Sequence, residues 1–217
     1  MLDFKKEFID FSLKKKALNF GNFILKSGRK SPYFFNTSSF YTGNDIKKLA
    51  YFYYCAIIKY KVKFNHLFGL AYKGIPIVVA ISLFLKKRNQ LDVSFSFNRK
   101  EKKLYGERGN IIGNENTNKK SILIDDVITS GISIKNSINQ LKKNNILAAI
   151  VAFDRKELSI NKTHSKKEIR NQFSFPIFSI ITIKDLIQFI IEEKKMLIYL
   201  DELIKYNILC GTEKINL

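Results

Sequence analysis

The 217-residue chain is 46% hydrophobic and 26% charged, enough apolar residue to bury a core and too much to stay disordered. Two cysteines, Cys55 and Cys210, with no CxxC and no neighbouring His, argue against a disulfide scaffold or a zinc site and fit a reducing cytoplasm. The net charge of +19 comes from 32 lysines and 6 arginines scattered along the chain, a solvated surface suited to small anions rather than a massed nucleic-acid face.

Taken in chain order, Met1 to Phe8 lacks the basic-then-apolar order of a secretory signal. Phe4, Phe8 and Phe11 recur at i, i+4 and i+7, which predicts an amphipathic helix over residues 3–16. Leu18, Phe20, Phe23 and Leu25 lead to a turn at Ser27-Gly28, and Tyr33-Phe34-Phe35 follow Pro32, so a small antiparallel hairpin is expected. Gly43-Asn44-Asp45 should cap a helix running to about Lys61.

From there strand and helix alternate. Leu67 to Leu70 reads as a short buried strand, and an apolar helix follows Ala71-Tyr72-Lys73-Gly74 to about Lys87. Its apolar run, Ile75 to Leu85, is too short for a bilayer, which needs about 20 residues. Val93 to Phe97 alternates as a strand. Residues 98–119, polar and marked by glycines 106, 109 and 113, read as a long flexible loop. Buried strands are expected at Ser121 to Ile124, Leu147 to Phe153 and Ile177 to Thr182, with a helix at Gly131 to Lys143 and helices after residue 182. Runs such as Ile122-Leu123-Ile124 suit strands covered on both faces, so an open parallel α/β sheet is the expected fold.

Ligands of such sheets bind beyond the carboxyl ends of the strands. Three of those ends carry Tyr72-Lys73, Asp125-Asp126 and Asp154-Arg155. Backbone N–H groups and hydroxyls from Thr129 to Ser133, opening a helix, would cradle an anion. Two acids just before a phosphate cradle repel phosphate but suit hydroxyls or a metal, and a ribose phosphate has that layout. Neither GxGxxG nor a Walker A motif occurs.

The run Ile-Leu-Ile-Asp-Asp-Val-Ile-Thr-Ser-Gly-Ile-Ser at 122–133 resembles the phosphoribosyl-diphosphate motif of type I phosphoribosyltransferases. Phe23 to Asn36, Leu67 to Pro76, and Phe97 to Lys103 followed by Gly106-Glu107 resemble the hairpin, pyrophosphate loop and mobile catalytic loop of the orotate phosphoribosyltransferase family. Four motifs in order span essentially the whole chain. The resemblance implies an open, mainly parallel sheet flanked by helices, with an N-terminal hood at residues 1–40, a core at 41–217 and a mobile loop at about 98–119. It implies a cytoplasmic homodimer with shared active sites, Mg²⁺ as cofactor, and orotate and phosphoribosyl diphosphate as substrates, without nucleic acid or membrane partners.

Residue by residue, the resemblance makes Asp125 and Asp126 holders of the ribose hydroxyls, catalytic together with Lys103 and Arg99. Val127, Ile128, Thr129, Ser130, Gly131, Ile132 and Ser133 would bind the 5′-phosphate. Lys26, Tyr72, Lys73, Arg99, Lys100, Lys103 and Tyr105 would attend the diphosphate, with Mg²⁺ carried mainly by diphosphate and ribose hydroxyls. Phe34, Phe35, Thr129 and Arg155 would hold orotate, although hairpin aromatics usually belong to a core and only one need line the site. Tyr105 stands where the family usually has His, Arg108 where small residues are usual, and Ile132 is bulky for a phosphate loop. His66 and His164 match no catalytic position. The rivals are a purine phosphoribosyltransferase, disfavoured by Lys26 to Asn36 with Arg155, and a lysine-rich nucleic-acid-binding regulator on the same fold, which would show salt-sensitive binding and no need of Lys103.

Overall fold

A computed structural model gives the architecture and describes residues 1–25, 27–103, 109–114, 118–128, 134, 145–158 and 175–212. Helix α1 (Asp3–Lys14) buries Phe8 and Phe11 of the expected stripe, with Ile9 beside them, and leaves Phe4, its third member, half-buried. Strands β1 (Leu18–Ile24) and β2 (Lys30–Phe35) pair antiparallel as the expected hairpin. Their register shifts between Phe20 and Phe23, where Gly21 takes a φ of +145° that side chains rarely adopt. Helix α2 (Gly43–Tyr60) is capped by Thr42, whose hydroxyl accepts from the Asp45 N–H. Gly43-Asn44-Asp45 therefore form its first turn and are not the cap, because the hydroxyl one residue earlier reaches the third helical amide.

The main sheet comprises β3 (His66–Gly69), β4 (Ser94–Lys103), β5 (Gly109–Gly113), β6 (Lys120–Ile128), β7 (Asn145–Asp154) and β8 (Ile177–Thr182). Their order is β5-β4-β3-β6-β7-β8, and every neighbouring pair is parallel except β4 with β5. Helix α3 (Gly74–Asn89) joins β3 to β4, while α4 (Ile183–Glu193) and α5 (Leu200–Cys210) follow β8. The strand run from Ala148 to Phe153 is at most 1% exposed, as a sheet covered on both faces requires. Among the described residues no helix is long and apolar enough to cross a membrane.

The expectation of a long flexible loop over 98–119 is corrected by a two-stranded ribbon. Strand β4 continues to Lys103, and Phe97 and Asn98 pair with Ile112 and Ile111 of β5. A sheet-edge ribbon is held by backbone hydrogen bonds, so polar side chains with no apolar period do not preclude it. Residues 104–108 and 115–117 of that segment, and the helix expected at 131–143 apart from Ile134, lie outside the described residues.

The N-terminal elements share their core with the sheet. Phe35 on β2 meets Phe8 on α1 at 6.0 Å and Phe153 on β7 at 5.4 Å between ring centroids. Lys5 of α1 donates to Asp185 of α4 at 2.6 Å, and Asp185 also completes a capping box with Thr182. The hairpin is thereby set against the carboxyl end of β7.

Candidate active site

The chain leaves β3 in one direction through α3 to β4, and places β6 on the other side of β3. That reversal is a topological switch point, where an open sheet forms a crevice. Two glycines allow the chain to be this tight. A Cβ on Gly69 would lie 2.6 Å from the Gly74 carbonyl oxygen, and one on Gly74 would collide with the carbonyl of Ile124 on β6. Leu70 N–H donates to the same Ile124 oxygen at 2.9 Å, so the end of β3 is drawn onto β6.

The loop 70–73 then opens at the positive end of α3. Its Ala71 N–H donates to buried Asn98 Oδ1 at 2.8 Å, which ties the loop to β4. Tyr72 is 62% exposed, and the Lys100 ammonium sits 4.4 Å from its ring centroid. Lys73 is half-buried at the helix entrance, Arg99 is half-buried on β4 and Lys100 is exposed. The loop and the β4 cations thus share one side of the crevice.

The two acids stand next to that loop. Strand β3 pairs with β6 only from Ser121 to Ile124, whereas β6 runs on to Ile128 beside β7. Asp125 and Asp126 are the first residues beyond the end of β3, half-buried beside the opening. They do not end their own strand, as the sequence suggests; they emerge where the shorter neighbour stops. Asp126 N–H donates to Asp125 Oδ1 at 2.9 Å, and buried Tyr53 donates to the Asp125 carbonyl at 2.6 Å. Asp126 Oδ1 accepts from Val127 N–H at 2.9 Å, and its Oδ2 accepts from Thr37 Oγ1 at 3.0 Å. Burial and the adjacent Asp126 carboxylate push the Asp125 carboxyl well above the usual range. Burial and the same two acids push the Tyr53 phenol up.

The hairpin packs at the carboxyl end of β7, through Tyr33 and Phe35 on Phe153. Alternation along β2 turns Phe35 into the core at 5% exposure and leaves Phe34 outside at 37%, 5.5 Å from the Phe23 ring. Phe35, expected to share in holding orotate, thus gives its ring to Phe8 and Phe153. Arg155 follows β7 and is 2% exposed. It donates through Nε to Glu157 at 2.7 Å, and through Nη2 to Ser31 Oγ at 2.7 Å and Tyr206 Oη at 3.4 Å. Its Nη1 donates to the Tyr33 carbonyl at 3.5 Å, and the guanidinium lies 4.0 Å from the Tyr33 ring centroid. Arg155, expected beside an orotate carboxylate, is in this structure a brace beneath the hairpin. These four bonds use four of the five guanidinium N–H groups, and the second Nη1 hydrogen is not among them.

Lys26, Tyr105 and Thr129 to Ser133 lie outside the described residues, as do Arg108 and His164. Val127 and Ile128 close β6, and Lys103 ends β4 opposite Gly109. Thr37, Tyr53, Asn98 and Glu157 escaped the sequence reading, since each acts by a bond to a distant residue. Among the described residues, no three His, Cys, Asp or Glu side chains form a metal-binding group. The donors at the crevice, Asp125 and Asp126, are hard carboxylate oxygens. They fit a magnesium ion that takes one or two protein contacts and completes its shell with ligand phosphate and water.

Known proteins resemble this arrangement throughout. A family model of the phosphoribosyl transferase domain matches residues 38–182. The orotate phosphoribosyltransferase of Buchnera aphidicola subsp. Acyrthosiphon pisum (strain Tuc7) is 53% identical over 207 residues, covering 94% of this chain and 97% of that protein. The one from Enterobacter sp. (strain 638) is 40% identical over 198 residues, covering 90% and 92%. Among solved structures, the orotate phosphoribosyltransferase of Francisella tularensis matches with a TM-score of 0.83 at 38% identity, covering 95% of this chain and all of that one.

Proposed function

The chain belongs to the orotate phosphoribosyltransferase family, and from that membership we propose how its own residues carry out the transfer. The activity joins orotate N1 to C1 of phosphoribosyl diphosphate, giving orotidine 5′-monophosphate and diphosphate in pyrimidine synthesis. The C1–O bond to diphosphate breaks, the N1–C1 bond forms, and the N1 proton of orotate is released. As the leaving bond stretches, the ribose gains oxocarbenium character, so the site must favour a cationic sugar and an anionic leaving group together.

Asp125 and Asp126 hold the ribose hydroxyls and place negative charge beside the developing cation. Residues 127–133 bind the 5′-phosphate. Lys73 and Tyr72 in the loop after β3, with Arg99, Lys100, Lys103, Lys26 and Tyr105, attend the diphosphate. When bound, Mg²⁺ neutralises diphosphate charge, and Asp125 and Asp126 are the residues here that would contact it. Phe34 presents its ring to the pyrimidine, with Thr129 beside it. Arg155 meets the orotate carboxylate through Nη1, which makes only its longest bond, the 3.5 Å contact with the Tyr33 carbonyl, and has a second hydrogen to donate. The working form is a cytoplasmic homodimer whose β4–β5 ribbon reaches the neighbouring site.

The observation that carries this reading is the pair of acids emerging where β3 stops, next to the loop at 70–73, whose Leu70 N–H donates to the Ile124 carbonyl just before them. The test is loss of orotate absorbance with phosphoribosyl diphosphate and Mg²⁺, run beside adenine, hypoxanthine and uracil. Turnover of orotate alone is expected. Turnover of a purine in its place would overturn the base assignment, and no turnover without the Asp126 carboxylate would support the acid's role.

A further inference from the structure

We propose that Thr37 is a positioning residue that holds the Asp126 carboxylate in its working orientation. The inference rests on the reading of Asp126 as a ribose-binding acid. A carboxylate on a short side chain rotates freely about its last bond unless both oxygens are held. Here Val127 N–H holds Oδ1 at 2.9 Å and Thr37 Oγ1 holds Oδ2 at 3.0 Å. Two donors at opposite oxygens set the plane of the group, and each oxygen keeps a further lone pair for a ribose hydroxyl.

The donor comes from an unexpected quarter. Thr37 opens a one-turn 3₁₀ helix, Thr37–Ser39, directly after the hairpin strand that carries Phe34. It is 6% exposed, and Asn36 caps the same turn by accepting from Ser38 N–H at 3.0 Å. Phe40 N–H donates to the Thr37 carbonyl at 3.0 Å, which fixes the threonine backbone. A rigid turn therefore aims one hydroxyl at the acid 89 positions away. The orientation of Asp126 is thereby set by the segment that presents the base-facing ring, three positions on from Phe34. Base-side and ribose-side geometry are joined by a single hydrogen bond.

The test uses the full-length enzyme with both natural substrates. Thr37→Val keeps the branched shape and removes the donor; Thr37→Ser keeps the donor and removes a methyl. For Thr37→Val, kcat should fall by about tenfold, the usual scale for a bond to a charged group, with KM for orotate within about twofold and the melting temperature near that of the parent. Thr37→Ser should regain kcat to within about twofold of the parent. Added to Asp126→Asn, Thr37→Val should cost nothing further, because the group it positions is gone. A Thr37→Val enzyme with parental kcat, or one whose loss persists in full on the Asp126→Asn background, would overturn the inference while leaving the acid's role intact. Parental kcat in Asp126→Asn alone would overturn the acid's role, and this inference with it.

Discussion

Glu157 joins two arginines that lie far apart in the chain, Arg29 and Arg155: its Oε1 accepts from Arg155 Nε at 2.7 Å and its Oε2 from Arg29 Nη1 at 3.0 Å. Tyr206 of α5 also donates to Oε1, at 2.8 Å. One carboxylate, 3% exposed, thus pins the hairpin tip, the end of β7 and the C-terminal helix to each other. Removing one partner of a buried pair leaves the other charge uncompensated, at a cost of about 3–5 kcal/mol. Glu157→Ala should lower unfolding stability by that order, measured by urea titration. A loss under about 1 kcal/mol would mean that water replaces the carboxylate with little penalty.

Asp125 illustrates a conflict between stability and use. Its carboxyl is raised by burial and by Asp126, so the folded chain holds this proton more tightly than the unfolded chain does. Stability should therefore decrease as pH rises above the ordinary carboxylate range and through the folded value. Asp125→Asn removes the titration and should raise the melting temperature of the substrate-free protein at neutral pH, while activity falls about 10–1000-fold. Melting curves of parent and variant that run parallel across pH would reject the argument.

His66, which matches no catalytic position, is buried with its ring nitrogens 2.8 Å from Ser94 Oγ and 2.8 Å from Ser96 Oγ. Burial, with Lys119 close by, pushes its pKa down from the usual 6.5 to about 4. The unfolded chain binds this proton first as pH falls, so the stabilisation is complete above about pH 6.5 and is lost down to about pH 4. The full difference is about 3 kcal/mol. His66→Gln should flatten unfolding stability between those limits, as followed by urea titration at pH 4.5 and 7; an unchanged slope would place the titration elsewhere.

The shared-site dimer has a direct assay. If Lys103 serves the neighbouring site and Asp126 its own, a mixed dimer of Lys103→Ala and Asp126→Asn chains gathers both lesions in one site. The other site is intact. Mixing the two nearly inactive proteins under conditions that allow subunit exchange should restore measurable orotate turnover. No recovery, with exchange verified by mass, would assign Lys103 to its own chain.

The N-terminal helix and hairpin, the strands β3, β6, β7 and β8, the buried character of β6 and β7, and the acids at Asp125-Asp126 are legible in the sequence, because local periodicity and short motifs encode them. Period-two alternation also says that Phe34 and Phe35 face opposite ways. It does not say which one meets the core; that follows from Phe8 and Phe153 packing on Phe35. The ribbon formed by β4 and β5 was hidden for a related reason, since its pairing is made by backbone groups whose side chains show no apolar pattern. Arg155 was visible as a rare arginine after a buried strand, but its partner Ser31 lies 124 positions away. Thr37 carried no signal at all until the turn after the hairpin was placed beside Asp126. Local sequence determined which elements form and where the acids fall; the packing of distant segments decided which polar groups hold them, because a hydrogen bond depends on position in space and leaves no period in the chain.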